Sequence, residues 1–249
     1  MNVSRVVGRS AALLALLFFL QGSPGQAEPQ HYSVDVALVF AIDGSGSIEG
    51  YEFGFQMDAL ANAIVQSDVI QAIKSGSNRR IAVNYVIWGD ADFPSQIGIW
   101  RIIGNANDAR SFSSELKSTE RRATGNTGVG AGMGDALLLL TDLPFHTDRM
   151  VIDVSGDGIE TFITRRGKRK SEPIWNTSLA SALARTMGVT INGLVLPSSD
   201  PNLAAWYRKN VQTGAESFVV EASSFGEVST VMHRKLLREI SSGVVARLP

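Results

Sequence analysis

The sequence predicts an α/β protein with a doubly wound, mostly parallel central sheet, one antiparallel edge strand and helices on both faces. The first observation is a series of apolar, strand-like runs, at Val34–Ile42, Ile81–Trp88, Met150–Val154, Val189–Leu196 and Ser217–Val220. The second is that helix-like stretches lie between most of these runs. Because strands and helices alternate over about two hundred residues, the strands are expected to be parallel and joined by right-handed crossovers.

The strands are expected to occupy different positions in the sheet. Val36 to Ile42 is apolar without interruption, which predicts a strand that is buried on both faces. Gln96 to Gly104 follows Ile81–Trp88 after only the short segment Gly89–Ser95. That segment is too short for a helical crossover, so Gln96–Gly104 is expected to pair antiparallel with the preceding strand at the sheet edge.

The helices are recognised by apolar residues that recur every three or four positions. One amphipathic helix lying on the sheet is expected between Glu49 and Ile73. Its apolar stripe consists of Phe53, Met57, Leu60 and Ile64. Further helices are expected at Ala131–Leu140, Ile174–Met187 and Phe225–Ile240.

The N-terminus has the three-part form of an export signal. Arg5 and Arg9 precede the apolar block Ala11–Leu20, and small and polar residues follow as far as Ala27. This pattern predicts a cleaved signal peptide at residues 1–27, with a retained signal anchor as the alternative. The block is shorter than the roughly 20 apolar residues that span a bilayer as a helix. We therefore expect a mature chain, residues 28–249, that forms one domain without a transmembrane segment and is periplasmic or secreted.

Composition excludes several kinds of site and partner. The chain has no cysteine, so disulfides and thiolate metal sites are excluded. Loss of the two arginines of the signal would leave 21 basic residues (23 − 2) against 24 acidic ones, a net charge of −3. That balance does not suggest a nucleic-acid or anionic-membrane partner.

The most informative motif follows the first buried strand and reads Asp43-Gly44-Ser45-Gly46-Ser47. Its carboxylate and two hydroxyls stand at alternate positions, so the three side chains can converge on one point. The intervening glycines have no side chain that would obstruct the convergence. In an open doubly wound sheet, ligands bind in the crevice beyond the carboxyl ends of the strands, and this motif is expected at such an end.

Two further segments offer oxygen ligands in the same kind of position. One is the glycine-rich stretch Thr124–Gly130, which opens a predicted helix, and the other is Ser155–Gly158, which follows a predicted strand. Carboxylates and hydroxyls without a histidine cluster favour a hard cation. We expect a divalent cation, with Mg²⁺ preferred and Ca²⁺ or Mn²⁺ as alternatives.

These motifs resemble those of the von Willebrand factor A (VWA) domain family with its metal-ion-dependent adhesion site (MIDAS). The family's Asp-x-Ser-x-Ser is matched by Asp43, Ser45 and Ser47, its glycine-preceded threonine by Thr127, and its Asp-Gly by Asp157-Gly158. The resemblance covers roughly Val34 to Ser241 and implies a Rossmann-like VWA fold.

The resemblance also implies the role of each metal ligand. Ser45 and Ser47 would bind the metal directly, and Asp43 and Asp157 would bind it directly or through water. Thr127 would be a switchable ligand, with Thr124 as the fallback for its role. The chain departs from the family's usual pattern at the residue before Asp157, where threonine or serine is replaced by glycine.

The sequence has three other charged features: a basic run, a pair of aspartates after the second strand and an aspartate within a strand. The basic run Arg165–Lys170 follows Asp157 closely; it is either a solvated loop or a guide for an acidic partner. Asp90 and Asp92 end the second strand and are assigned to a turn. Asp153 lies within an apolar strand, where it would cap a neighbouring backbone group or mark a sheet edge.

The preferred function is a non-enzymatic protein-binding module for adhesion or scaffolding, in which the cation accepts an Asp or Glu side chain of a partner protein. No general base, partnered nucleophile or cofactor loop accompanies the predicted site. Two alternatives stay open. One is a metal-dependent hydrolase of phosphate esters, and the other is a structural envelope domain in which the metal only joins three loops.

Overall fold

The computed structural model describes residues 32–161 and 175–245. The predicted signal peptide and the basic run Arg165–Lys170 both lie outside the described residues. Within the described part, no helix is long and apolar enough to cross a membrane.

Strands and helices alternate along most of the chain. The strands are β1 Tyr32–Ser33, β2 Ala37–Asp43, β3 Ile81–Trp88, β4 Gln96–Ile97, β5 Arg101–Ile103, β6 Phe145–His146, β7 Met150–Gly156, β8 Thr190–Val195 and β9 Val219–Glu221. The helices are α1 Gly50–Ala63, α2 Ser67–Ser75, α3 Ala106–Ser118, α4 Val129–Leu139, α5 Thr177–Met187, α6 Leu203–Asn210 and α7 Phe225–Val245.

The predicted fold class is confirmed. In the described part of the chain, a seven-stranded sheet has the order β4-β3-β2-β7-β8-β9, with β5 also paired to β3. β4 and β5 run antiparallel to β3, and every other pairing in this sheet is parallel. The segment Gln96–Gly104 therefore pairs antiparallel as expected, although as two short strands. β1 and β6 form a separate parallel pair.

The central strand β2 separates two hydrophobic cores. All seven of its residues are buried. Leu38, Phe40 and Ile42 belong to the core shared with α1, α2, α3 and α7, whereas Val39 and Ala41 belong to the core shared with α4, α5 and α6. This alternation follows from the two-residue period of a strand, and it explains why the run is apolar without interruption.

The single helix predicted from Glu49 to Ile73 is wrong, because the chain breaks it into α1 and α2. Gln66 has an extended backbone, with φ −63° and ψ 143°. The predicted stripe lies in α1 and its C-cap residue Ile64, and no glycine or proline follows it to mark the break before α2. Helices α3 and α6 were not predicted at all.

Asp153 occupies neither of the positions expected for it. Its strand β7 lies between β2 and β8, inside the sheet, and its side chain pairs with a lysine of α7. Lys235 Nζ lies 2.7 Å from Asp153 Oδ1, and both side chains are buried. Lys235 also pairs with Glu239 one helical turn further on, and Asn192 Nδ2 donates to Glu239 Oε1 at 2.8 Å.

This buried cluster holds two carboxylates and one ammonium. Burial raises the pKa of Glu239 to about 7, while the positive charge of Lys235 opposes that shift and the negative charge of Asp153 adds to it. Lys235 is therefore the charge that allows Asp153 and Glu239 to lie inside the fold, and it fixes α7 to the middle of the sheet.

We predict that Lys235→Met lowers the free energy of unfolding by about 3–5 kcal/mol at pH 8, because it leaves buried carboxylates without their partner. The loss should shrink at pH 5, because burial raises the pKa of Glu239 to about 7 and its carboxylate is then neutralised by protonation. Urea unfolding at the two pH values measures this. Lys209→Met, at an exposed position, is the control. Equal losses for the two variants would contradict the prediction.

Candidate metal centre

The strand register brings the two acidic segments together. Ile42 pairs with Ser155 across β2 and β7, so Asp43 and the segment Gly156–Asp157 leave the sheet side by side at the carboxyl ends of these strands. This is the edge at which open α/β sheets bind their ligands.

A continuous chain of hydrogen bonds joins the predicted ligands. The Ser45 amide donates to Asp43 Oδ1 at 2.7 Å, and the hydroxyls of Ser45 and Ser47 lie 3.0 Å apart. Ser47 Oγ then donates to Asp157 Oδ1 at 2.8 Å. Four of the five predicted residues thus converge on one point of the crevice.

Thr127 reaches the same place from the α4 side. Its Oγ1 lies 3.5 Å from the position that a Cβ on Gly158 would occupy, so it lies beside the Asp157-Gly158 turn. Its backbone is held on both sides by Thr161, whose amide donates to Thr127 O at 2.9 Å and whose Oγ1 accepts from Thr127 N at 3.0 Å. The structure therefore places Thr127 beside the turn that carries Asp157.

The site carries negative charge that no described basic side chain neutralises. Asp43 is fully buried, and no lysine or arginine in the described part of the chain forms an ion pair with it. Burial raises the pKa of Asp43 to about 7, although hydrogen bonds from Ser45 lower it, and the charge of Asp157 raises it further. Burial also raises the pKa of Asp157, and the nearby charge of Glu52 adds to that shift.

The residues present fit a hard divalent cation. A buried carboxylate without a charged partner is costly, and a cation bound between Asp43 and Asp157 would remove that cost. The described residues contain no group of three or more His, Cys, Asp or Glu side chains that could hold a metal. The candidate set is of another kind, because three of its five members are hydroxyls.

The loops are fixed by residues that the sequence analysis did not assign to the site. Asp90, which was assigned to a turn, accepts at Oδ2 from Asn126 Nδ2 at 2.8 Å and from Asn126 N at 3.3 Å. Gly46 N donates to Gly125 O at 2.8 Å, and this bond joins the Asp43–Ser47 loop to the Thr124–Gly130 segment. Arg121 donates from its guanidinium to the carbonyls of Ser45 and Ile48.

Glu160 connects the N-termini of α4 and α5 to the segment that follows Asp157. Its Oε1 accepts from Gly130 N at the start of α4, at 2.7 Å. Its Oε2 accepts from Thr177 N at the start of α5, at 3.2 Å. A carboxylate at two helix N-termini is favoured by both macrodipoles. Glu160 lies only three residues after Asp157, but no local pattern shows that α4 and α5 begin beside it.

The glycines of α4 let this helix approach the sheet closely. A Cβ on Gly132 would lie 2.4 Å from Trp88 Cγ, and one on Gly134 would lie 2.4 Å from Trp175 Cδ2. Real Cβ atoms do not come so near to a neighbour. Gly132 therefore lets α4 pack closely against Trp88 at the end of β3, and Gly134 lets it pack closely against Trp175.

A family of proteins matches most of the chain. The family model described as "Protein of unknown function (DUF1194)" matches residues 33–244. The chain belongs to the DUF1194 family. No curated protein sequence matches it.

Solved structures share the fold of this DUF1194 protein. The pilus adhesin SpaC from Lactobacillus rhamnosus GG has a TM-score of 0.59 at 14% identity, over 84% of this chain and 31% of SpaC. The vWF domain of the type V pili tip protein Mfa5 from Porphyromonas gingivalis has a TM-score of 0.52 at 11% identity, over 85% of this chain and 96% of that domain's chain.

A third structure contains a metal. Proximal thread matrix protein 1 from the mussel byssus, solved with a zinc-occupied MIDAS motif, has a TM-score of 0.51 at 15% identity, over 86% of this chain and 47% of that protein. The DUF1194 chain thus spans about a third of SpaC and about half of the mussel protein. At these identities the likeness shows the fold, which is that of a VWA domain.

We predict opposite effects for alanine at two helical glycines. Gly132→Ala should destabilise the protein by about 1–3 kcal/mol, because the new methyl group collides with Trp88. Gly54→Ala in α1 should stabilise it by about 0.5–1 kcal/mol, because a Cβ there meets nothing within 4 Å and glycine is a poor helix former. Urea unfolding measures both. A neutral or stabilising Gly132→Ala would show that α4 does not press on Trp88.

Proposed function

We propose that this protein is a divalent-metal-dependent protein-binding domain, for adhesion or scaffolding, with a cation held by Asp43, Ser45, Ser47, Thr127 and Asp157. The observation that carries the proposal is the buried Asp43 carboxylate, which has no basic partner among the described residues and is linked through Ser45 and Ser47 to Asp157. A cation at this point would compensate the charge. Mg²⁺ is the preferred ion, with Ca²⁺ and Mn²⁺ as alternatives.

The donor set explains why such a cation would seek an outside ligand. Two carboxylates and three neutral hydroxyls leave a hard cation with few charged ligands and an unfilled coordination position. Ser47 is exposed at the mouth of the site, so a side chain of another protein can approach. A partner's Asp or Glu would complete the coordination shell, as the resemblance to MIDAS domains implies.

The names of the structural neighbours support a role in binding. Two of them are a pilus adhesin and a pilus tip protein, and a third is a byssus protein with an occupied MIDAS motif. We extend this role to the present chain as a proposal, together with export by the predicted signal peptide to the periplasm or the outside of the cell. The basic run Arg165–Lys170 would then steer an acidic partner towards the cation.

The two alternatives make different predictions. A hydrolase would need a group that activates water near the cation, and turnover of phosphate esters that is lost in Asp157→Asn would support it. A purely structural metal would raise the melting temperature without any metal-dependent binding. We prefer the binding role because the exposed hydroxyl of Ser47 leaves the site open to a partner.

We predict that Mg²⁺ at about one hundred times its Kd stabilises the wild type by about 2.7 kcal/mol, because the ion binds only the folded site. Asp43→Asn should abolish this stabilisation and still fold in EDTA, since it keeps the shape and removes a buried charge. Thermal unfolding with and without Mg²⁺, Mn²⁺ and Ca²⁺ is the measurement. Asp58→Asn, on the exposed side of α1, is the matched control. Equal ion responses from both variants would contradict the cation site.

We further predict that immobilised wild-type protein retains a partner from an envelope extract in Mg²⁺ and releases it in EDTA. Asp43→Asn should retain at least about tenfold less, because loss of a metal–carboxylate contact costs more than 1.4 kcal/mol. Quantitative mass spectrometry of the eluates compares wild type, Asp43→Asn and Asp58→Asn. Conversion of the partner's carboxylates to amides should remove the metal-dependent fraction. Retention that ignores both EDTA and Asp43→Asn would overturn the binding role.

A further inference from the structure

Buried polar atoms without hydrogen-bond partners are concentrated behind the candidate metal centre. Outside the Lys235 cluster, the described part of the chain contains three such side-chain atoms: Asp43 Oδ2, Trp88 Nε1 and Tyr207 OH. An unsatisfied buried polar atom costs about 1–3 kcal/mol. Three of them near one site therefore call for an explanation.

Two of these atoms meet at Gly156. The position that a Cβ on Gly156 would occupy lies 2.5 Å from Tyr207 OH and 2.8 Å from Asp43 Oδ2. The two oxygens are therefore no more than 5.3 Å apart, which is the sum of these distances. That separation is within reach of a direct hydrogen bond after a small side-chain movement, or of one bridging water.

The fold makes room for the tyrosine with two glycines on neighbouring strands. A Cβ on Gly193 in β8 would lie 3.0 Å from Tyr207 Cδ1, and Gly156 in β7 borders the hydroxyl. Tyr207 is fully buried and comes from α6, which packs on β8 and β9. A side chain at either glycine would take the space of the ring or of its hydroxyl.

The backbone of Asp157 lowers the pKa of the Asp43 carboxyl by hydrogen bonding, but the contacts of Ser45, Gln56 and Trp88 are not made with Oδ2. The Ser45 amide donates to the opposite carboxylate oxygen, Oδ1, and Gln56 Nε2 donates to the Asp43 main-chain carbonyl at 3.2 Å. Trp88 approaches Gly156 with a ring carbon, Cη2, which cannot donate a hydrogen bond of this kind. Tyr207 OH, which also lacks a partner, is the hydroxyl that lies beside Oδ2 at Gly156.

We propose that Tyr207 is a positioning residue of the cation site, whose hydroxyl donates a hydrogen bond to Asp43 Oδ2, directly or through one buried water. This inference rests on the proposed function, because it assigns the support of one proposed metal ligand. The bond orients the carboxylate from its buried side and keeps Oδ1 turned towards the serine loop.

The phenol is suited to this task because it keeps its proton. Burial raises the pKa of Tyr207 well above its usual value, and the negative charges of Asp43 and Asp157 raise it further. Groups that orient a metal ligand from outside the coordination shell typically change metal affinity 10- to 100-fold when they are removed.

The test removes the hydroxyl from residue 207 and introduces one at residue 156. Titration calorimetry then measures the Kd for Mn²⁺ of each variant. Tyr207→Phe keeps the ring and should weaken Mn²⁺ binding by about tenfold or more. Adding Gly156→Ser to Tyr207→Phe returns a hydroxyl to the space beside Asp43, after a small shift of that carboxylate, and should recover most of the affinity. Adding Gly156→Ala to Tyr207→Phe supplies the same carbon without the hydroxyl and should not.

Three outcomes would overturn the inference. They are an unchanged Kd in Tyr207→Phe, equal affinities for the serine and alanine double variants, and a loss of affinity that merely follows a loss of folded protein. Circular dichroism of each variant in EDTA monitors folding. Gly156→Ser alone should lower the melting temperature, because its Cβ collides with the Tyr207 hydroxyl.

A second measurement separates this inference from the proposed cation site. If the wild type binds no Mn²⁺, the proposed function fails, but the hydrogen bond can still be tested in EDTA. The shifts in urea midpoint caused by Tyr207→Phe and by Asp43→Ala should then not add in the double variant, because both remove the same interaction. Additive shifts would show that Tyr207 and Asp43 do not interact.

Discussion

The parallel pairing of β2 with both β3 and β7 is the constraint on which the rest of the structure depends. Its register places Ile42 opposite Ser155 and Asp43 opposite Trp88, so all three strands end at one level. The loops that follow are then neighbours, and they bond to one another through Ser47 and Asp157. A shift of one residue would turn each side chain to the opposite face, and the convergence would be lost.

Two buried carboxylates on the central strands, Asp153 and Asp43, differ in whether a basic side chain pairs with them. Asp153 lies in the middle of β7, where α7 supplies Lys235 as its counter-charge. Asp43 lies at the end of β2, where the described chain supplies hydrogen bonds but no basic side chain. The fold thus satisfies a carboxylate in its interior and leaves one uncompensated at its crevice. That contrast is the physical reason for assigning a cation to the crevice.

The fold class could be predicted from the sequence because β2 and β3 are buried on both faces, and their apolar runs are interrupted only by Asn84 before β2 ends at Asp43. The break between α1 and α2 could not, because no glycine or proline marks the extended backbone at Gln66. The helix α3 could have been predicted, because its buried residues Ala109, Phe112, Ser113 and Leu116 recur at helical spacing. Local pattern therefore determines which segments enter the core, but not every place where the chain turns.

The sequence by itself determined the candidate ligands, since Asp43, Ser45 and Ser47 follow a strand at alternate positions and a period of two is a local property. Thr127 and Asp157 were found by matching a known pattern. Only the tertiary structure showed that Asp90 and Glu160 hold the surrounding loops, and it is the basis for proposing Tyr207 as a further support. These residues act across long separations in sequence, and α6 comes to lie over Gly193 and Gly156 only when the strands have paired. Contacts of that kind depend on packing, which no local periodicity encodes.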